Sequence, residues 1–276
     1  MAEAKTVLLT GGFDDFRSQH ARLLEEASKL GELHVLLWPD EDACAVEGHP
    51  PVFPQEERFY LLETNRYVRT VRLAAGLSDR DTLPEAAGIA PDIWVVHDRS
   101  DNSRKQAYCR QHGIEYRVLK KEDLKGFPVL PPAPHSARSA RKRVIVTGCY
   151  DWFHSGHIRF FEEVSELGDL HVVVGHDANI KLLKGEGHPM FSQDERRYMV
   201  QSVRFVQQAL ISSGHGWMDA EPEIAVIKPD IYAVNEDGDV PEKRAFSKEH
   251  GIEYVVLKRI PKPGLPKRQS TALRGF

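Results

Sequence analysis

Short apolar runs recur along this chain, separated by stretches in which apolar residues return every third or fourth position. Arg143–Thr147 is continuous and β-branched, the pattern of a strand buried on both faces. Ile158, Phe161, Val164 and Leu167 then follow at helical spacing, and Gly168 is a natural stop. Leu170–Val174 reads as a second strand and Glu195–Val206 as a helix. Glu223–Val234 reads as a helix end and a further strand, Glu242–His250 as a helix, and Ile252–Leu257 as a closing strand. Strands that alternate with helices imply parallel strands joined by crossover helices, and hence an open α/β sheet.

The same pattern occurs twice. KTVLLTGGFDDF (5–16) matches KRVIVTGCYDWF (142–153), which carries Thr10 onto Thr147 at an offset of 137 residues. PQEER (54–58) matches SQDER (192–196), NRYV (65–68) matches VRFV (203–206), and PDIW (91–94) matches PDIY (229–232). HGIEY stands verbatim at 112–116 and 250–254, where the offset has become 138. A period this long is two domains rather than a solenoid. The expected organisation is a first domain at 1–125, a linker at 126–141 and a second domain at 142–276. Each domain is a Rossmann-like open parallel sheet. Four prolines, from Pro128 to Pro134, keep the start of the linker extended, and the basic cluster Arg138, Arg141, Lys142 and Arg143 reads as its solvated end.

Composition narrows the class. The 276 residues carry 37 basic and 41 acidic side chains, a formal net charge of −4, without the basic excess of a general nucleic-acid binder. Cys44, Cys109 and Cys149 are scattered and odd in number, which disfavours both a disulfide framework and a zinc knuckle. No signal-peptide layout and no membrane-length apolar run is evident, so the expectation is a cytoplasmic protein without a membrane partner.

In open α/β sheets ligands bind beyond the carboxyl ends of the strands, which directs attention to the loop after the first strand of each copy. In the second copy it reads Gly148-Cys149-Tyr150-Asp151-Trp152-Phe153-His154-Ser155-Gly156-His157. The helix that follows presents unpaired N–H groups and a partial positive charge, suited to an anionic phosphate. Gly156 allows close backbone approach, and two imidazoles can donate hydrogen bonds to charge developing on a phosphate. No third ligand stands at metal-binding spacing, so no protein-held metal is expected.

This loop resembles the G-x-F-D-x-x-H-x-G-H signature of the cytidylyltransferase-like nucleotidyltransferases. That family includes glycerol-3-phosphate, choline-phosphate and ethanolamine-phosphate cytidylyltransferases, and its superfamily includes adenylyltransferases that make ADP-heptose, FAD and dephospho-coenzyme A. Asp177–Gly185 is similar to the family's lysine-glycine stretch, Arg204 to the arginine of its I-R-Y-V-D helix, and Ser270-Thr271-Ala272-Leu273-Arg274 to its S-T-x-x-R motif. Gln207 replaces the final aspartate of I-R-Y-V-D.

The resemblance implies catalytic roles for His154, His157 and Lys184. It implies nucleotide binding by Gly148, Cys149, Tyr150, Gly156, Asn235, Ser270, Thr271 and Arg274, and acceptor binding by Asp151 and Arg204. Asp151 has an equally good reading as a structural turn residue. The implied reaction joins CTP or ATP to a small phosphorylated acceptor, with Mg²⁺ on the phosphates and pyrophosphate released. The G-x-Y-D-x-F-H-x-G-H form leans towards CTP, whereas LKGEGHP resembles the adenylyltransferases of heptose phosphates; CTP is the expected donor and ATP the alternative. A nucleotide sensor without turnover is the rival reading.

The first copy keeps the scaffold and loses the chemistry. Arg17 stands in place of His154 and Gln19 in place of Gly156, while His20 and Arg66 remain opposite His157 and Arg204. Its Asp40–Pro50 segment has four carboxylates and neither lysine nor arginine, and an acidic wall repels a triphosphate. This copy is therefore expected to be inactive and to serve as the other half of an intramolecular pseudo-dimer, with further homo-oligomerisation left open.

Overall fold

In the computed structural model, which describes residues 4–74, 79–83, 88–130 and 140–273, the apolar runs Val7–Leu9, Leu33–Leu37 and Ile93–Val96 of the first copy lie in strands of one sheet. The chain divides into two compact units, Met1–Gly126 and Phe127–Phe276. In the first unit the order is β1 (Thr6–Gly11), α1 (Ser18–Ser28), β2 (Glu32–Leu37), α2 (Asp40–Glu47), α3 (Gln55–Glu63), β3 (Thr70–Leu73), β4 (Ile93–His97), α4 (Ser103–His112) and β5 (Glu115–Leu119). The second unit repeats it: β6 (Arg143–Gly148), α5 (Ser155–Leu167), β7 (Asp169–Val174), α6 (Asp177–Lys184), α7 (Gln193–Gln201), β8 (Val206–Ile211), α8 (Glu221–Ile227), β9 (Ile231–Asn235), α9 (Pro241–Glu249) and β10 (Glu253–Leu257).

The sheets run β3-β2-β1-β4-β5 and β8-β7-β6-β9-β10, and every pairing is parallel. Both units therefore have the α/β fold that the periodicity predicts. The central strands are buried on both faces: Val144, Ile145 and Val146 of β6 are fully inaccessible, as are Val172 and Val174 of β7. Complete burial is what makes their sequences continuous rather than alternating.

A close approach explains one glycine in each unit. A Cβ on Gly168 would lie 2.1 Å from the Lys142 carbonyl oxygen, and one on Gly31 2.1 Å from that of Lys5. Those carbonyls accept the N–H of Asp169 and of Glu32, each at 2.8 Å, which sets the register of β7 on β6 and of β2 on β1.

One expectation is corrected. The helix expected to reach Val206 ends at Gln201, and Val206–Ile211 is the edge strand β8. An edge strand has only one neighbour, and Gln207 and Gln208 interrupt the apolar run by which strands are recognised. The start of the linker packs on the second unit. The Arg197 guanidinium donates to the Phe127 carbonyl at 2.9 Å, and the Phe127 and Tyr198 rings lie 5.8 Å apart. Among the described residues no helix is long and apolar enough to cross a membrane.

Candidate active site

In the second unit the chain leaves β6 for β7 on one side, and β9 pairs on the other. Sheet order reverses there, and the carboxyl ends of β6 and β9 open into a cavity of about 460 Å³. Of the residues singled out in the sequence, Gly148, Cys149, Tyr150, Asp151, Gly156, His157, Lys184, Asn235 and Ser270 line it. Every one of those residues belongs to the second unit.

The loop after β6 is held in an unusual shape. Tyr150 takes φ +53°, a left-handed conformation that costs a side-chain-bearing residue about 1 kcal/mol or more. Its ring lies over Gly148, where a Cβ would come within 2.8 Å of the ring carbon Cζ. The first unit has the same device: Phe13 takes φ +51° over Gly11. Asp151 then pins the loop, its Oδ1 accepting the N–H groups of Met190 at 2.8 Å and Phe191 at 3.0 Å. Asp14 does likewise for Val52 and Phe53 at 2.7 and 2.9 Å. These bonds of Asp151 are scaffold common to both units, and its carboxylate also borders the cavity.

Arg196, which sequence reading passed over, is the hub of this region. It is almost completely buried and donates to the carbonyls of Phe191, Cys149 and Gly175 at 2.9, 2.6 and 2.8 Å, and to the Asp177 carboxylate at 2.7 Å. Arg58 repeats the arrangement on Phe53, Gly12, Trp38 and Asp40. The repeated PQEER and SQDER segments carried the signal, since an arginine that recurs in both copies while the chemistry does not has a scaffold role.

The histidines occupy the N-terminus of α5. His154 is its N-cap, and its Nδ1 accepts the Gly156 N–H at 3.1 Å. That bond places the proton of the neutral ring on Nε2. The His154 and His157 rings stack at 4.0 Å between centroids, with Phe153 at 5.5 Å and Tyr150 edge-on at 5.4 Å from His157. Burial, helped by the guanidiniums of Arg259 and Arg268, lowers the pKa of His154 to about 3. Burial, then His154, Arg259 and Lys184, holds His157 well below its ordinary value. Both imidazoles are thus neutral at physiological pH. His154 Nε2 and His157 Nδ1 are buried without a hydrogen-bond partner among the described residues. A buried polar atom without a partner is uncommon, and here two lie in one stacked pair.

His154 itself does not line the cavity; it sits behind Gly156 and His157. The role of Gly156 follows from this. A Cβ there would lie 3.0 Å from Nδ1 and Cε1 of the His154 ring, so the glycine makes room for the imidazole as well as for a ligand. In the first unit Gln19 fills that position and Arg17 is the N-cap of α1, with the His20 imidazole accepting the Arg17 N–H at 3.2 Å.

Cations surround the pair. Lys184 is the exposed last residue of α6 at the cavity rim. Arg259, just beyond β10, also lines the cavity, pairs with Asp237 and donates to the Arg268 carbonyl at 3.0 Å. Lys243, on α9, is buried against the cavity with its ammonium 5.8 Å from the Tyr232 ring centroid, and burial lowers its pKa. The sequence motifs include neither Arg259 nor Lys243. The sheet-edge rule reaches Arg259, because it follows β10 at the same carboxyl edge. The Ser270 hydroxyl donates to the Trp152 carbonyl at 3.2 Å, which ties the 3-10 turn Ser270–Leu273 to the histidine loop.

Arg204 is not brought to the cavity; it is exposed in the turn between α7 and β8, not on a helix. Arg274 and the Thr271 side chain lie outside the described residues. Among the described residues no group of three or more His, Cys, Asp or Glu could hold a metal ion. Asp237 is paired to Arg259 and one oxygen of Asp151 is engaged by the backbone, so a divalent ion would have to bring most of its ligands with it.

A parallel sheet with its switch-point cavity, neutral stacked imidazoles at a helix N-terminus and a cationic rim define a nucleotidyltransferase-like α/β domain. The cytidylyltransferase-like family model matches residues 145–271. An FAD synthase of Methanoculleus marisnigri is 36% identical over 122 residues, which are 43% of this chain and 77% of that protein. The bifunctional protein HldE of Campylobacter concisus is 36% identical over 103 residues, 37% of this chain but only 21% of that protein. The chain thus spans about a fifth of that bifunctional relative. The lipopolysaccharide core biosynthesis protein of Thermoplasma volcanium aligns at 26% identity and a TM-score of 0.36, over 46% of this chain and 98% of that structure. The chain belongs to the cytidylyltransferase-like nucleotidyltransferase family.

Proposed function

We propose that the second unit transfers a nucleoside monophosphate from ATP to a small phosphorylated acceptor and releases pyrophosphate. The observation that carries this is the pair of neutral, stacked imidazoles, each with a ring nitrogen left without a partner, at the N-terminus of α5 beside a cation-rimmed cavity. An acceptor phosphate oxygen attacks the α-phosphorus in line. The new P–O bond forms as the bond to the β-phosphate breaks, and pyrophosphate departs with that electron pair. Such a displacement needs positioning and charge stabilisation rather than a covalent intermediate.

His157 donates towards the α-phosphate oxygens, and His154 holds His157 in place from behind while its own Nε2–H adds a donor. Lys184 and Arg259 neutralise phosphate charge, and Ser270 borders the departing pyrophosphate together with Thr271 and Arg274 of the same motif. Gly148, Cys149 and Tyr150 form the floor, and Asn235 faces the nucleoside. Mg²⁺, brought in on the triphosphate, would offset charge on the leaving group. Asp151 and Arg204 remain the proposed acceptor side, Asp151 by its place at the cavity and Arg204 by its motif.

ATP is favoured as donor because a relative whose length is three-quarters matched is an FAD synthase, whose product contains an adenylate, and because LKGEGHP resembles adenylyltransferases. CTP is the second reading, favoured by the form of the histidine loop and by the family model. The first unit is proposed to be inactive. Pyrophosphate release with ATP and CTP, across a panel of phosphorylated acceptors, tests the proposal. Release with ATP in an acceptor-dependent manner is expected; release with CTP alone would reverse the donor assignment, and release with neither would overturn transferase activity.

A further inference from the structure

The first unit retains a cavity of about 510 Å³ at the carboxyl ends of β1 and β4. It is the same place in the fold as the catalytic cavity, and its floor matches position by position. Thr10, Phe13, His20 and Lys105 line it where Thr147, Tyr150, His157 and Lys243 line the other. His20 keeps the aromatic setting of His157, with Phe13 edge-on at 5.9 Å and Phe16 stacked at 5.6 Å, and burial lowers its pKa to about 4.

The charges at its rim are exchanged. Glu47 ends α2 at the position where Lys184 ends α6, and Arg99 follows β4 where Asp237 follows β9. The cation has thus moved from the helix end to the strand end, and the anion the other way. Arg80 adds a second guanidinium to the same cavity, and neither Arg80 nor Arg99 has an ion-pair partner among the described residues. Trp38, also on the cavity wall, has a buried Nε1–H without a partner among the described residues, a further donor for an oxygen ligand. Two guanidiniums without ion pairs and an indole N–H suit a small dianion, while the Lys105 ammonium is already held by Asp81 at 3.1 Å and by the Ser100 carbonyl at 2.9 Å, and Glu47 and Asp101 oppose the spread charge of a triphosphate.

We infer that the first unit binds a phosphomonoester without turning it over, its phosphate held by Arg80 and Arg99. The full-length chain is titrated calorimetrically with AMP, CMP and ribose 5-phosphate, and the Arg80→Glu/Arg99→Glu variant is titrated in parallel. Both arginines are exposed, so the variant is expected to fold, which its thermal melt verifies. At least tenfold weaker binding of one or more of the three is expected in the variant. ATP-dependent pyrophosphate release by the second unit serves as the independent control. Loss confined to AMP or CMP marks the ligand as a nucleotide, and loss extending to ribose 5-phosphate marks the phosphate and sugar as the recognised part. Glu47→Lys is a second arm, expected to raise ATP affinity at this site by removing the opposing charge. Superimposable isotherms for the parent chain and the double variant with all three probes overturn the inference, whatever the second unit catalyses.

Discussion

His154 and His157 are kept neutral by their surroundings, and neutrality decides how they respond to acid. An unfolded histidine titrates near 6.5, whereas folded His154 does so near 3. Between those values the unfolded state binds more protons, so stability is fully present above pH 6.5 and is lost as pH falls through that window. Urea unfolding measured at several pH values is expected to show this decline, and His154→Gln is expected to flatten it. Turnover should show no histidine inflection between about pH 5 and pH 8, where an ordinary histidine would give one. His157→Ala is expected to lower turnover by about a hundredfold or more without loss of fold, the scale on which a transition-state donor acts. Steady-state rates together with a thermal melt check this. The histidine loop was legible because its residues are adjacent in the chain. Arg259 and Lys243 were not, because only the pairing of β10 and β9 with β6 brings them to that loop.

At the scale of elements, the loops around each cavity are joined by one buried arginine. Arg196 links the ends of β6 and β7, the start of α6 and the approach to α7. Replacing it by Met leaves three carbonyls and a carboxylate without their donor. A loss of about 3 kcal/mol is expected in denaturant unfolding of the second unit, with a fall in nucleotide affinity as the loops loosen. Arg58→Met should destabilise the first unit similarly and leave pyrophosphate release intact. Comparing the two variants separates scaffold from chemistry. Most elements could be read from periodicity, because buried central strands and amphipathic helices have distinct patterns. β8 could not, since Gln207 and Gln208 lie on an edge strand and break its apolar run. The arginines were hidden for a different reason: composition places arginine outside, and only a complete set of partners brings it in.

At the scale of the molecule, the candidate active-site cavity of the second unit draws all its lining from one unit. The fragment Phe127–Phe276 is therefore expected to retain ATP binding, with affinity within about threefold of the full chain. The sequence expectation of a pseudo-dimer adds that this fragment should self-associate, which sedimentation would reveal; a monomeric fragment would count against that arrangement. The duplication itself was plain from HGIEY and the aligned strand motifs, but the exchange of Lys184 for Glu47 was not. That comparison needs α2 and α6 to be recognised as equivalent helices that end at equivalent residues.

The contact between Gly156 and the His154 ring couples two positions of the loop. A side chain at 156 would press on the imidazole at 3.0 Å, so a histidine at the helix cap calls for glycine two residues later. The first copy holds Arg17 and Gln19 at these places. Histidine at 17 alone would set a ring against the Gln19 side chain, and glycine at 19 alone would leave Arg17 as the cap. A variant of the first unit that carries the histidine arrangement of the second therefore has to change both positions together.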